Sequence, residues 1–158
     1  MNIQIRYCTE EDVHSIIELM RSFAEYEDLG HYFEVTHDRL HSAMFGDNGF
    51  VEGVVAVDGD RTFAYALFYP YFASFRGQVG YYIEDIYIHD EYRRHGIGEA
   101  ILRTIARLAK SRGFERLDFQ VLDWNSPAVK FYEKHGVIRD DEERHYKFID
   151  DSFKRLAE

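Results

Sequence analysis

The sequence predicts an α/β (α+β) fold built on a single mixed, largely antiparallel sheet flanked by helices, and three observations point to it. Two apolar runs, "FVEGVVAV" (50–57) and "TFAYALFYPYF" (62–72), are joined by "DGD", and Asp-Gly is a strong signal for a tight hairpin. A third run, "QVGYYIEDIYI" (78–88), is apolar almost throughout, as suits a strand in the sheet centre with both faces covered. It leads through Gly96 and Gly98 into Ile101, Leu102, Ile105, Leu108 and Ala109, which share one helical stripe.

The remaining elements follow in order. "IQIRY" (3–7) alternates apolar and polar residues as an edge strand does, and Thr9 with Asp12 forms a capping-box start. Val13, Ile16, Ile17, Met20, Phe23 and Ala24 then recur at helical spacing. "EYEDLGHYFEV" (25–35) fits no period and reads as a loop. A short helix is expected from Thr36, with Leu40, Ala43 and Met44 on one face and Gly46 to stop it. After the helix that Gly113 ends, "RLDFQV" (116–121) reads as a strand. "NSPAVKFYEKHG" (125–136) has the early proline and late glycine of a short helix, and "RHYKFI" (144–149) reads as a last strand. The predicted order is β, α, α, β, β, β, α, β, α, β. No repeat, low-complexity tract or Pro/Gly/Ser-rich linker interrupts the 158 residues, which are expected to form one domain, 1–158.

Composition narrows the function. Cys8 is the only cysteine, which excludes an intrachain disulfide, argues against structural zinc, and suits a reducing, cytoplasmic setting. The amino terminus has neither the basic start nor the apolar run of a signal peptide, and no stretch is long and apolar enough for a membrane span, so a soluble protein is expected. With 29 acidic against 19 basic residues, the overall field repels nucleic acid and favours cationic partners, unless the excess serves solubility alone. Twelve tyrosines are many for this length, and a buried tyrosine needs a partner for its hydroxyl, so some should line a polar cleft.

Against that acidic background "YRRHGIGEAIL" (92–102) stands out. A glycine-rich turn between a strand and a helix aims backbone N–H groups at the helix end, where the dipole adds about half a positive charge. Gly96 and Gly98 allow close approach, and Arg93, Arg94 and His95 supply donors around the rim. The dinucleotide fingerprint fails because Ile101 stands where a small residue belongs, and the Walker pattern fails because Glu99 follows Gly98. By itself the turn is either an anion site or a tight corner carrying surface arginines.

Its context resolves the choice. Arg93-x-x-Gly96-x-Gly98, following "YYIEDIYI" and preceding "WNSPAVKFYEKHG", resembles the pyrophosphate-binding motif of the GNAT acetyltransferases. Within that superfamily "YIEDIYIHDEYRRHGIG" and "DWNSPAVKFYEKHG" are most similar to the diamine (spermidine/spermine) N-acetyltransferases and their thialysine-acetylating relatives. The resemblance runs from Ile3 to about Asp150 and is most specific between Tyr81 and Gly136. It implies a sheet with splayed central strands and acetyl-coenzyme A as acetyl donor, its arm lying along Ile86, Tyr87 and Ile88. The diphosphate would rest on Arg93, Arg94, His95, Gly96, Ile97 and Gly98, and Asn125 would help hold the arm. It implies Tyr132 as proton donor to the departing thiolate and a homodimeric assembly. Spacing is compatible with a shared role for Asn125 and Tyr132, which lie two helical turns apart, about 10 Å, on nearly one azimuth.

Glu84 and Asp85 interrupt the apolar strand, and strict alternation sends Glu84 to one face with Tyr82 and Ile86 and Asp85 to the other. An amine nucleophile gives such a carboxylate a purpose: an alkylamine with a pKa near 10.4 is only ~0.04% neutral at pH 7, and only the neutral form attacks a thioester. An ion pair with an arginine or lysine would be the structural alternative. The resemblance assigns Glu84 as base and Asp85 as an acid holding a small cationic amine. It matches Tyr26, Glu27 and Glu142 to acceptor contacts. The chain departs from the polyamine enzymes in "YPYFASFRG" (69–77), where Ala73, Ser74 and Phe75 replace an acid beside an aromatic residue. The expected activity is therefore N-acetylation of a primary amine, with a diamine or lysine-like acceptor. The alternatives are a protein or amino-acid N-acetyltransferase, an aminoglycoside acetyltransferase, or a binding module that senses acetyl-coenzyme A without turnover. His37 and His41 sit four apart on one predicted helix, but no third ligand is evident and no metal is predicted.

Overall fold

In the computed structural model, which describes residues 2–158, five strands form one sheet in chain order. β1 (Ile3–Tyr7), β2 (Glu52–Asp58), β3 (Arg61–Ala73) and β4 (Gln78–Ile88) are successively antiparallel, and β5 (Arg116–Phe119) runs parallel to β4. A parallel neighbour needs a crossover, and α3 (Ile97–Ser111) provides it. The β2–β3 hairpin turns at Asp58-Gly59-Asp60 with Gly59 at φ 60°, the left-handed conformation that glycine adopts without penalty.

β3 is the middle strand and its alternation divides the core. Ala64, Ala66 and Phe68 face Ile97, Ile101, Ile105 and Ala109 of α3. Tyr65 and Leu67 face the other layer, where α1 (Val13–Tyr26) contributes Val13, Ile16, Ile17 and Leu19, and α2 (His37–Phe45) contributes Leu40. Each fully buried isoleucine or valine contributes about 1.5–3 kcal/mol. The caps of α2 lie where the sequence puts them: Thr36 Oγ1 accepts the Arg39 N–H at 3.3 Å, and Gly46 follows the last turn.

β4 and β5 pair only from Gly80 to Ile83, opposite Arg116 to Phe119. Gly80 permits this, because an added Cβ would collide with the carbonyl of Arg116 and meet its Cγ at 2.6 Å. Gly80→Ala should therefore loosen the β4–β5 ladder and destabilise the fold by about 1–3 kcal/mol, read as a lower midpoint in urea unfolding. Beyond Ile83, among the described residues, no strand pairs with β4 on the side away from β3. Ala64 lies opposite Ile88 while the His89 N–H bonds the Phe63 carbonyl at 2.9 Å, so Ile88 and, two residues earlier, Ile86 direct their N–H and C=O groups into that opening.

Two sequence expectations need correction. Residues 144–149 are not a strand; no ladder forms there, and the chain instead enters a helix, α5 (Asp150–Ala157). Asp150 and Asp151 in its first turn and Lys154 and Arg155 in its last complement the helix dipole. The helix of α1 also continues through Tyr26, so 25–35 is a loop only beyond that point, with one 3₁₀ turn at Gly30–Tyr32. The described chain divides into two compact units, one ending at Gln120 and one spanning Val121–Glu158. The second holds α4 (Ser126–Lys134) and α5.

Candidate active site

The register of β3 and β4 slips at the two acids. Ala66 pairs with Ile86 and Leu67 with Asp85, but Phe68 pairs with Ile83, so Glu84 is an extra residue with no cross-strand partner. This β-bulge reverses the alternation: Tyr81 and Ile83 before it, and Ile86 and Ile88 after it, all pack on the α3 side. It also overturns the expectation that Glu84 and Asp85 face opposite ways. The Tyr69 hydroxyl donates to Glu84 Oε2 at 3.1 Å and the Tyr65 hydroxyl donates to Asp85 Oδ2 at 3.0 Å. Tyr65 and Tyr69 are four apart in β3 and so share a face. Both carboxylates therefore point to the α1 side, Glu84 beside Tyr82, as expected, but away from Ile86.

Their environments nevertheless differ. Glu84 is exposed, whereas desolvation pushes the Asp85 carboxyl up to about 6, despite the opposing hydrogen bond from Tyr65 and with a smaller push from the Glu84 charge. Glu27, in the turn after α1, is also raised, by desolvation and by the Asp85 charge. Tyr65 is fully buried, and its phenol lies well above the usual range through desolvation and the adjoining Asp85. Among the described residues neither Glu27 nor Asp85 is in an ion pair. Two partly desolvated carboxyl groups whose charges raise one another's cost, neither in an ion pair among the described residues, form a site that a cation would stabilise. Two tyrosine hydroxyls, of Tyr65 and Tyr69, find their partners in Asp85 and Glu84.

The turn at 93–98 has the conformation an anion site requires. Arg94 lies at φ 66° and Gly96 at φ 76°, and an added Cβ at Gly96 would meet nothing within 4 Å, which leaves open space in front of the helix. The first intrahelical bond runs from the Ala100 N–H to the Gly96 carbonyl at 3.0 Å, so the N–H groups of Ile97 and Gly98 point out of the helix end. Arg94 and His95 are exposed beside them. A diphosphate fits this end, and an extended amide-bearing arm fits the open edge at Ile86 and Ile88; the N–H and C=O of Tyr87 point at β3 instead. Arg93 is turned inward, its Nε donating to the Ile88 carbonyl at 2.9 Å and its Nη2 reaching Asp90 at 2.8 Å.

In the second unit Asn125 caps α4, its Oδ1 accepting the Ala128 N–H at 3.4 Å. Tyr132 lies two turns on, and burial pushes its phenol up to about 12, so it is protonated throughout the physiological range. Glu142 is exposed in the segment before α5, its backbone N–H bonded to Asp140.

Within the first unit the structure brings Glu84, Asp85 and Glu27 to one face. It sets Tyr26 and Tyr87 against Arg93, with the guanidinium 4.7 Å and 5.5 Å from the two ring centroids. Sequence reasoning missed Tyr65 and Tyr69, although their spacing from each other in "TFAYALFYPYF" already placed them on one face. The rings of His37 and His41 stack at 5.9 Å and His41 Nε2 lies 3.1 Å from Glu10. Among the described residues no three His, Cys, Asp or Glu side chains group to hold a metal, and no helix is long and apolar enough to cross a membrane.

Comparison with known proteins identifies the family. The Acetyltransferase (GNAT) family model matches residues 13–137. Thialysine N-epsilon-acetyltransferase of Mus musculus is 33% identical over 142 residues, covering 85% of this chain and 83% of the relative. L-ornithine N5-acetyltransferase of Arabidopsis thaliana is 28% identical over 179 residues, covering 85% and 78%. Among solved structures, an integron cassette protein from the mobile metagenome of V. cholerae superposes with a TM-score of 0.80 at 23% identity, covering 99% of this chain and 98% of that one, and so shares the fold. With a sheet opened beside β4, a glycine turn at the start of α3 and a family match across most of its length, the chain belongs to the acetyltransferase (GNAT) family.

Proposed function

We propose that this protein transfers the acetyl group of acetyl-coenzyme A to the terminal primary amine of a small cationic acceptor, a diamine or a lysine-like amine, by direct attack in a ternary complex. The observation that carries the acceptor class is the trio Glu27, Asp85 and Glu84 gathered on one face beside the open edge of β4, none of them in an ion pair among the described residues. The relatives' names point the same way, one to an N-epsilon amine and the other to the N5 amine of ornithine. The whole of 1–158 would act as one N-acetyltransferase domain, a reading supported by the family match, which runs across the boundary at Gln120.

Acetyl-coenzyme A supplies a thioester carbonyl open to attack by a neutral amine. At pH 7 freeing an alkylamine of its proton costs about 3.4 pH units, or roughly 5 kcal/mol. Glu84 takes that proton, directly or through water, and Asp85, Glu27, Tyr26 and Glu142 hold the cationic acceptor. N–H groups of β4 stabilise the developing oxyanion, Ile86 and Ile88 hold the donor's arm with help from Asn125, and the turn from Arg94 to Gly98 holds its diphosphate. Tyr132 gives a proton to the departing sulfur.

Thiol release over an amine panel tests this, read beside coenzyme A binding by calorimetry. Diamines and lysine-like amines should release thiol at least tenfold faster than aminoglycosides or a protein amino terminus. Tight coenzyme A binding with no release on any amine would leave a sensor rather than an enzyme. A cytoplasmic homodimer completes the proposal: the single cysteine suits a reducing compartment, and Ile138, Tyr146 and Phe148 expose apolar surface that a second copy could cover. Sedimentation across a hundredfold concentration range reads the assembly.

A further inference from the structure

Arg93 opens the glycine turn, yet its guanidinium is engaged elsewhere. Nε donates to the Ile88 carbonyl, one of the groups that face the opening beside β4. Nη2 pairs with Asp90. The guanidinium lies 4.7 Å from the ring centroid of Tyr26, the last residue of α1, and 5.5 Å from that of Tyr87 in β4. Tyr87 in turn meets Phe23 of α1 edge to face at 5.3 Å. One side chain thus touches the end of the acceptor helix, the cofactor edge of the sheet and the start of the anion turn.

We infer that Arg93 is a positioning residue: it fixes the end of α1, with Tyr26 and the adjoining Glu27, against the Ile86–Ile88 edge of β4, and is not itself a ligand of the diphosphate. The chemistry is specific to arginine, whose planar fork donates in two directions from its edge while its faces lie against aromatic rings. A lysine keeps the charge, and would still serve a diphosphate, but offers no flat face and no second donor at that angle. The inference rests on the acetyl-transfer reading above, since it places the acceptor near Tyr26 and Glu27.

Arg93→Lys and Arg93→Met separate the two roles. Both should raise the KM for the amine about tenfold, equally with acetyl-coenzyme A and with S-acetyl-pantetheine, which lacks the diphosphate. Calorimetry with ADP as a diphosphate probe should give the same affinity for wild type and both variants, and hydrogen exchange at 23–29 should quicken in both. A defect confined to acetyl-coenzyme A, with ADP affinity lost in Arg93→Met and restored in Arg93→Lys, would make Arg93 a diphosphate ligand and overturn the inference. Should neither variant fold, Tyr26→Leu tests the same tie through exchange: opening at 23–29 should quicken, and unchanged exchange there would refute the inference. If wild type turns over no amine, the acetyl-transfer reading has failed, while ADP binding and hydrogen exchange still decide the role of Arg93.

Discussion

Tyr132→Phe is expected to lower kcat by roughly 10²–10³-fold while the KM for acetyl-coenzyme A stays within about twofold, the signature of a group that acts only as the bond breaks. Burial raises this phenol to about 12, against about 8.5 for a free thiol, so handing over the proton completely is uphill by roughly 5 kcal/mol. The transfer must therefore accompany cleavage of the carbon–sulfur bond, while the sulfur is gaining negative charge. A phenol that titrates so high puts no limb on the pH–rate profile below about pH 11. Steady-state kinetics in both substrates decides the point: an unchanged kcat would remove Tyr132 from the chemistry, and a rise in donor KM alone would make it a binding residue.

Asp85→Asn should make the protein more stable at neutral pH and worse at its reaction. The Asp85 carboxyl titrates near 6 in the folded chain against a reference of 3.8, so the folded state binds its proton more tightly than the unfolded state does. Between about pH 4 and pH 6 the folded chain thus holds more protons, stability falls as pH rises, and above pH 6 the full cost of the buried charge remains. That cost is of the order of 2–3 kcal/mol, and asparagine removes it while still accepting the Tyr65 hydrogen bond. Urea unfolding should show the variant more stable at pH 7, with the difference vanishing below pH 4. The KM for a cationic amine should rise tenfold or more, because the acceptor's ammonium is the counter-charge for Asp85, which is in no ion pair among the described residues. A variant less stable than wild type at pH 7, with its amine KM unchanged, would mean that a protein cation already compensates Asp85.

Local signals in the sequence located most of the fold. Thr36 and Gly46 bracket α2, Asp-Gly turns the β2–β3 hairpin, and Gly96 marks the turn before α3; each acts through its own backbone conformation or cap and needs no distant partner. What failed was non-local. A strand exists only as a partner to another strand, and "RHYKFI" has apolar content but no neighbour to pair with, whereas the helix behind it is announced by Asp150, Asp151 and Ser152, whose hydroxyl bonds the Ile149 backbone. The bulge was hidden for the same reason. Period-two counting is blind to one inserted residue and sends Glu84 and Asp85 to opposite faces, whereas the pairing of Phe68 with Ile83 puts them on one. The acidic face was therefore only half legible: its residue types could be read, but not their convergence with Tyr65 and Tyr69.

Because Glu84 sits opposite no residue of β3, it stands outside the register that holds the sheet together, and its carboxylate meets β3 through the Tyr69 hydroxyl instead. Since the register does not pass through it, glutamine at this position should leave the strands on either side paired as they are. Deleting Glu84 would have the reverse effect, closing the strands into an unbroken ladder whose face keeps Asp85 alone. A scaffold of this kind can change its chemistry at a single site and leave its architecture alone.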